Sequence, residues 1–132
     1  FSPTFAGDGT FIFQDKTGKA YRNFVQNGSL IWKNGGFFGT WCDGVQNVAS
    51  NGIVYAVAGY ADFLKVPYPG ALSAFSLIDG KPLWTRNVTV APNSVPTYGM
   101  LVGQTKPSVV IPTGYSSCEG PLDVHAFDAE TG

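Results

Sequence analysis

Short apolar runs, each placed behind a turn signal, dominate the pattern of hydrophobic and polar positions along this chain. They lie at residues 8–13, 51–57 and 108–111. Each begins at or near a pair such as Asp8-Gly9 or Asn51-Gly52, and these pairs favour the positive φ of tight hairpin turns. No stretch keeps a helical period over about eleven residues, the shortest window that argues for a helix. The pattern therefore predicts an all-β chain of antiparallel strands joined by hairpins.

The same turn recurs at a fixed interval. Gly28, Gly80 and Gly132 are spaced 52 residues apart, and Trp32 and Trp84 each stand four residues after their glycine. A period of about 50 residues with turn glycines is typical of the blades of a β-propeller. The fold class we predict is an all-β β-propeller fragment of about two and a half four-stranded antiparallel blades. The predicted blades span residues 2–36, 41–89 and 95–132.

A propeller closes with roughly four to eight blades. We therefore expect this chain to be part of one propeller domain within a longer protein, with the remainder of its own chain as its first partner. The alternative is a complete small β domain.

Composition limits the function classes. Charged residues make up 13% of the chain and the net charge is −1, so the basic surface that nucleic-acid binding requires is absent. The apolar runs fall short of the roughly 18 residues of a membrane span. We expect neither a nucleic-acid partner nor a membrane span.

Cysteines and sequons indicate the compartment. Cys42 and Cys118 belong to no CxxC pair, which argues against a zinc site. The repeat register places them in matching regions of two blades, so we favour a Cys42–Cys118 disulfide over two buried thiols. Asn27 and Asn87 each begin a glycosylation sequon. These features favour a secreted or extracellular protein, or a periplasmic one if the source is bacterial.

The repeat resembles that of quinoprotein (PQQ-type) β-propellers. That family repeats an aromatic residue, then Asp-x-x-Thr-Gly-Lys, then Trp. Residues 127–132 read Phe-Asp-Ala-Glu-Thr-Gly, and residues 79–84 read Asp-Gly-Lys-Pro-Leu-Trp. In that family the tryptophans dock one blade onto the next. The resemblance thus implies a structural role for Trp32 and Trp84, which is also the physical default for a large ring on a strand.

Residues 41–47 resemble a segment of the quinoprotein alcohol dehydrogenases. There the family carries two adjacent cysteines that face the quinone, then Asp, and later Arg. Cys42 matches the second cysteine and Asp43 matches the Asp, whereas Trp41 replaces the first cysteine and Asn47 stands where Arg is expected. The resemblance implies that Cys42 lines the cofactor pocket, and an amide at position 47 supplies no charge for a carboxylate-bearing cofactor.

Residues 114–119 resemble the family's Gly-Ser-Ser-Gly-Ala-Glu stretch. The resemblance implies that Glu119 coordinates Ca²⁺ and that Ser116 contacts the quinone, as does Thr97 in an upstream segment. Carboxylate oxygens suit Ca²⁺, which would polarise a quinone carbonyl. The alternative for Glu119 is a solvated loop carboxylate. No catalytic residue can be named, because the family's catalytic Asp would lie beyond residue 132.

Two functions from different classes follow. The first is a PQQ-dependent, alcohol-dehydrogenase-like enzyme that oxidises alcohols by hydride transfer to a calcium-bound quinone. The second is a non-catalytic extracellular propeller, a scaffold or interaction module that has lost quinone binding. The long hairpin at residues 61–70 is a candidate contact for a protein or glycan partner, or else covers a blade edge. His125, the lone histidine, is expected to partner a backbone group.

Overall fold

The computed structural model describes residues 3–15, 17–35, 47–59, 69–89, 92, 95–114 and 123–132. Within them the chain forms eleven strands, with turns and bends between them. The strands are β1 Thr4–Phe5, β2 Thr10–Gln14, β3 Lys19–Phe24, β4 Leu30–Gly35, β5 Asn47–Ser50, β6 Ile53–Gly59, β7 Gly70–Ser76, β8 Pro82–Val88, β9 Thr97–Gly99, β10 Ser108–Thr113 and β11 Asp123–Asp128.

These strands form three antiparallel sheets in sequence order. Sheet 1 has the order β1-β2-β3-β4, sheet 2 the order β5-β6-β7-β8, and sheet 3 contains β9, β10 and β11 with β10 in the middle. Every pairing joins strands that are consecutive along the chain. Such meandering sheets in series are the architecture of part of a β-propeller, so the predicted fold class is confirmed.

The glycine turns that follow the third strand of each sheet have the same backbone geometry. The amide of Gly28 donates to the carbonyl of Phe24 at 2.9 Å, and that of Gly80 donates to Ser76 at 2.8 Å. The amide of Gly132 makes the equivalent bond to Asp128, also at 2.8 Å. The three glycines have φ of 72°, 70° and 84°, the left-handed region that other residues rarely adopt. This turn fixes the strand register in which each tryptophan is presented.

Sheet 2 packs against a neighbouring sheet on both faces. Val54 and Ala56 belong to a cluster shared with sheet 1, whereas Tyr55 and Val57 belong to a cluster shared with sheet 3. Successive side chains of a strand point to opposite faces, so β6 supplies both interfaces in alternation. The core therefore consists of the two layers between neighbouring sheets.

Candidate functional site

The candidate site is built from the two layers between neighbouring sheets, where tryptophan rings and polar side chains of one sheet contact the next. Each layer has a donor face carrying a tryptophan and a receiving face carrying the next glycine turn. Trp32 on sheet 1 and Trp84 on sheet 2 are 8% and 9% exposed. A Cβ built on Gly80 would lie 2.6 Å from Cδ2 of Trp32, and one built on Gly132 would lie 2.9 Å from Cε3 of Trp84. Each indole therefore packs against the backbone of the next turn.

Polar side chains of the donor face also bind that turn. Asn34 Nδ2 donates to the carbonyl oxygen of Gly80 at 2.5 Å. Arg86, 52 residues later, donates through Nε to the carbonyl oxygen of Gly132 at 2.9 Å and through Nη2 to that of Thr131 at 2.7 Å. The amide and the guanidinium thus hold equivalent carbonyls in the two layers.

The first layer, which lies between sheets 1 and 2, also contains a cation. Arg22 donates to the carbonyl oxygen of Leu77 at 2.6 Å and to the carboxylate of Asp8 at 2.7 Å. A hydrogen bond from Thr10 and the charge of Arg22 lower the pKa of Asp8, against the opposing effect of burial. Trp32 Nε1 donates to the same Leu77 carbonyl at 2.8 Å. The Leu77 carbonyl is therefore a shared acceptor that ties sheet 2 to sheet 1.

The second layer uses the equivalent acceptor differently. Ala129 stands 52 residues after Leu77, and its carbonyl accepts from the hydroxyl of Tyr55 at 3.0 Å. Trp84 Nε1 is buried and has no hydrogen-bond partner among the described groups. Burial raises the pKa of Tyr55 to about 12, assisted by Tyr98 and by the negative charge of Glu130 and Asp128. At neutral pH the Tyr55 hydroxyl is therefore protonated and can donate its hydrogen to the Ala129 carbonyl.

One residue of the predicted cofactor pocket lies in the described part of the chain. Thr97 is in β9 opposite Val110, and its side chain is exposed. The predicted residues Cys42, Ser116 and Glu119 lie outside the described residues, as do Cys118 and Asp43. A single threonine hydroxyl, which donates one hydrogen bond and accepts up to two, is too little to define a quinone site.

The remaining predicted residues occupy the following places. Asn27 lies exposed in the turn between β3 and β4, where its Oδ1 accepts from the amide of Ser29 at 3.0 Å. Asn87 is exposed on β8. His125 pairs with Ile111 across β10 and β11, and its Nε2 is buried without a hydrogen-bond partner among the described atoms. Most of the hairpin at 61–70 lies outside the described residues.

Two other kinds of feature are absent from the described ranges. Within them, no group of three or more His, Cys, Asp or Glu residues is placed to hold a metal ion. Nor do they contain a helix that is long and apolar enough to cross a membrane.

Sequence reasoning missed three features of these layers. They are the shared Leu77 carbonyl, the hydrogen bond from Tyr55 to Ala129, and the pairing of two small side chains, Ala56 and Ser73, on sheet 2. The first has one signal in the chain, because the arginine at position 22 is a side chain suited to bridging a carboxylate and a carbonyl. The other two depend on which side chains face each other across sheets, for which the chain carries no local signal.

Comparison with known proteins gives a distant structural likeness. No family model matches this chain, and no curated protein matches it. Among solved structures 33 chains match. One of them, the crystal structure of BamB from Moraxella catarrhalis, is 15% identical, with a TM-score of 0.36 over 97% of this chain and 48% of that chain. The chain thus spans about half the length of that structure, and the fold assignment rests on the strand pairing described above.

Proposed function

We propose that this chain is part of a non-catalytic extracellular β-propeller scaffold that works by contacting other proteins. The observation that carries the proposal is an exposed apolar loop between β9 and β10. Met100, Leu101 and Val102 follow one another in that loop and are 59%, 38% and 106% exposed. A contiguous apolar patch on the surface is typical of a protein-binding site.

The loop is presented on an ordered support. The amide of Gln104 donates to the carbonyl of Leu101 at 3.0 Å, which closes a turn. The Ser108 hydroxyl donates to Oε1 of Gln104 at 2.5 Å and connects that turn to the start of β10. A loop held by hydrogen bonds next to the buried strand β10 can display side chains at little entropic cost on binding, which favours a recognition role.

The first partner we propose is the remainder of the same propeller. Sheet 1 presents the face that corresponds to the receiving faces of sheets 2 and 3. Phe5, Phe11, Phe13 and Tyr21 form a ladder on it, in which the rings of Phe13 and Tyr21 stack at 4.8 Å. A Cβ on Gly28 would meet no atom within 4 Å. This face therefore offers an indole a packing site of the same kind as those at Gly80 and Gly132.

An extracellular location remains part of the proposal. Both sequon asparagines, Asn27 and Asn87, have exposed side chains. The predicted Cys42–Cys118 disulfide also favours an extracellular location. Mass spectrometry of the unreduced protein would test that disulfide. Two free thiols would contradict it.

The quinoprotein enzyme is the competing function, and a chromophore test separates it from the scaffold. Purified protein is scanned for quinone absorbance with and without Ca²⁺, then after addition of PQQ. The scaffold predicts no chromophore and no reconstitution. A bound quinone that requires Ca²⁺ would overturn the scaffold and would place Cys42, Thr97, Ser116 and Glu119 first in line for mutation.

Protein binding is tested by variant-dependent capture from the extracellular fraction of the source. Changing Met100, Leu101 and Val102 to serine should release the bound partner. The matched control is the change of Ile78 and Leu83 to serine, because these side chains are 80% and 49% exposed in the turn before β8 and at the start of that strand. Equal capture by all three proteins would contradict the proposed loop contact.

A further inference from the structure

A cavity of about 280 Å³ lies between sheets 1 and 2. Its sheet 1 wall includes Gln14 and Asn34, and its sheet 2 wall includes Ala56, Ser73 and Phe75. A cavity of only about 10–15 Å³ on the same measure can hold one water. This one is therefore far larger than a bridging water requires.

The cavity arises from small side chains at one row of sheet 2. In that row Ala56 pairs with Ser73, and Ser73 pairs with Thr85. The equivalent pair is Phe13–Tyr21 on sheet 1 and Ile111–His125 on sheet 3. These equivalences follow from the strand register counted from each glycine turn. Sheet 2 alone among the three described sheets has two small residues here.

The facing row of sheet 1 is also unusual. It contains Gln14, Ala20 and Asn34, which pair across β2, β3 and β4. The equivalent row of sheet 2 contains Val57, Leu72 and Arg86. Val57 and Leu72 are 1% and 0% exposed in the second layer. The first layer therefore has small or polar groups on both sides at the level where the second layer is filled with aliphatic side chains.

Gln14, which lines the cavity, has one unpaired acceptor oxygen among the described groups. Its side chain is buried, and Nε2 donates to the carbonyl oxygens of Gly18 at 2.8 Å and Val57 at 3.1 Å. Because both partners of Nε2 are carbonyls, the orientation of the amide is unambiguous. Oε1 is left buried with no hydrogen-bond partner among the described groups. A buried unpaired oxygen is unfavourable, and a hydrogen-bond donor on a ligand would satisfy it.

The other lining groups define the ligand chemistry. The hydroxyls of Ser73 and Thr85 are 3.0 Å apart and share one hydrogen, so the pair retains a second hydrogen and further lone pairs. Ala56, Ala58, Phe75 and Pro82 give an apolar wall, and none of the described lining residues is charged. Such a site suits a neutral molecule that has hydroxyl groups on its edge and C–H groups on its face.

We infer that this inter-sheet cavity binds a neutral sugar ring, either as a free monosaccharide or as the end residue of a glycan. One ligand hydroxyl donates to Gln14 Oε1, and others exchange hydrogen bonds with Ser73 and Thr85. The apolar face of the ring packs on Phe75 and Pro82. This inference does not depend on the exposed loop at residues 100–102 or on any quinone.

The inference is tested with the full chain by NMR titration. The probes are glucose, galactose, mannose and N-acetylglucosamine, and the signal followed is the side-chain amide of Gln14. The expected result is a saturable shift from at least one sugar. Methyl glycosides and disaccharides of that sugar then separate the sources: tighter binding of the disaccharide indicates a glycan end, and equal or weaker binding indicates the free monosaccharide.

Ala56→Ile supplies the decisive variant. Isoleucine at the equivalent position 111 is fully buried, so this change should fill the cavity and still fold. It should weaken sugar binding at least tenfold. Ala126→Ile, the same change at an exposed position of β11, should leave sugar binding unchanged. Ser73→Ala should weaken binding several-fold.

Three results would overturn the inference, two of them from the titrations. One is the absence of a saturable shift with all of the sugars while the protein is folded. The other is a shift that persists at full strength in Ala56→Ile. A crystal soaked in the same sugars that shows the cavity filled by water alone would count in the same way.

Discussion

The indole of Trp32 lies directly on the backbone of Gly80, in the turn between β7 and β8 of the neighbouring sheet. A methyl group at Gly80 would be 2.6 Å from Cδ2 and 2.8 Å from Cε3 of that ring. The glycine is thus required twice, once for its φ of 70° and once for the contact. Gly28 has nearly the same φ, of 72°, but a methyl group there would have no atom within 4 Å. A comparison of Gly80 with Gly28 therefore separates the effect of the left-handed backbone from the effect of the contact with the ring.

Gly80→Ala should therefore destabilise the protein more than Gly28→Ala. The left-handed backbone costs an alanine about 1–2 kcal/mol at either site. Overpacking against Trp32 adds about 1–3 kcal/mol at Gly80 alone. Urea unfolding of both variants measures the difference in the free energy of unfolding. Equal losses would show that the ring moves aside without cost.

Trp32→Phe should cost about 1 kcal/mol more than Trp84→Phe. Both changes remove a similar ring area from a similar layer. Only Trp32 Nε1 makes a hydrogen bond, to Leu77, and a typical protein hydrogen bond contributes about 1 kcal/mol. Trp84 Nε1 has no partner among the described groups, so its loss removes an unsatisfied donor. Denaturant unfolding compares the two, and a larger loss for Trp84→Phe would contradict the assignment.

Tyr55 should make stability fall at alkaline pH. Its pKa is raised to about 12, first by burial, whereas an unfolded tyrosine ionises near a pH of about 10. The unfolded state thus releases its proton first as pH rises. The contribution of Tyr55 is complete below a pH of about 10 and is lost between about 10 and 12. The urea midpoint followed over this range measures the loss, and Tyr55→Phe should have a shallower decline.

Arg22→Lys should destabilise the first layer more than Arg86→Lys destabilises the second. The Arg22 side chain is 12% exposed and bridges Asp8 and Leu77, and a lysine cannot reproduce that fork. A loss of about 1.5–3 kcal/mol is expected for a hydrogen bond to a charged group. Arg86 is exposed, so water can replace its contacts. Thermal unfolding of both variants tests the order, and the reverse order would contradict it.

Much of the fold was accessible from the sequence because it is repeated. The spacing of Gly28, Gly80 and Gly132 marks three turns whose hydrogen bonds prove to be equivalent. The turn-flanked apolar runs predict the central strands β2, β6 and β10. The opening strands β1, β5 and β9 were not resolved individually, because segments of two to four residues are too short to show an alternating pattern.

One aromatic residue of the repeat is out of register with the others. Phe24 resembles Phe75 and Phe127 in its distance from the glycine. In the structure Asn23 is the residue that pairs with Phe11, as Phe75 pairs with Val54 and Phe127 with Val109. Phe24 is therefore one position out of register and 48% exposed. A shift of one residue moves a side chain to the other face of a strand.

The predicted cofactor pocket could not be assessed in the same way. Thr97 is placed on an exposed strand, and Cys42, Ser116 and Glu119 lie outside the described residues. Their roles stay predictions from the family resemblance. The inter-sheet cavity, by contrast, is formed by residues such as Ala56 and Ser73 that carry no catalytic signature.

The all-β class, the 52-residue interval and the glycine turns can be read from the chain alone, because backbone conformation and strand alternation are encoded locally. Which groups meet between sheets depends instead on how the sheets pack. Tyr55 takes the Ala129 carbonyl and leaves Trp84 Nε1 unpaired among the described groups, and Gln14 faces small residues across a cavity. These outcomes depend on side chains far apart in the chain that compete for one acceptor or fill one volume, which no local pattern records.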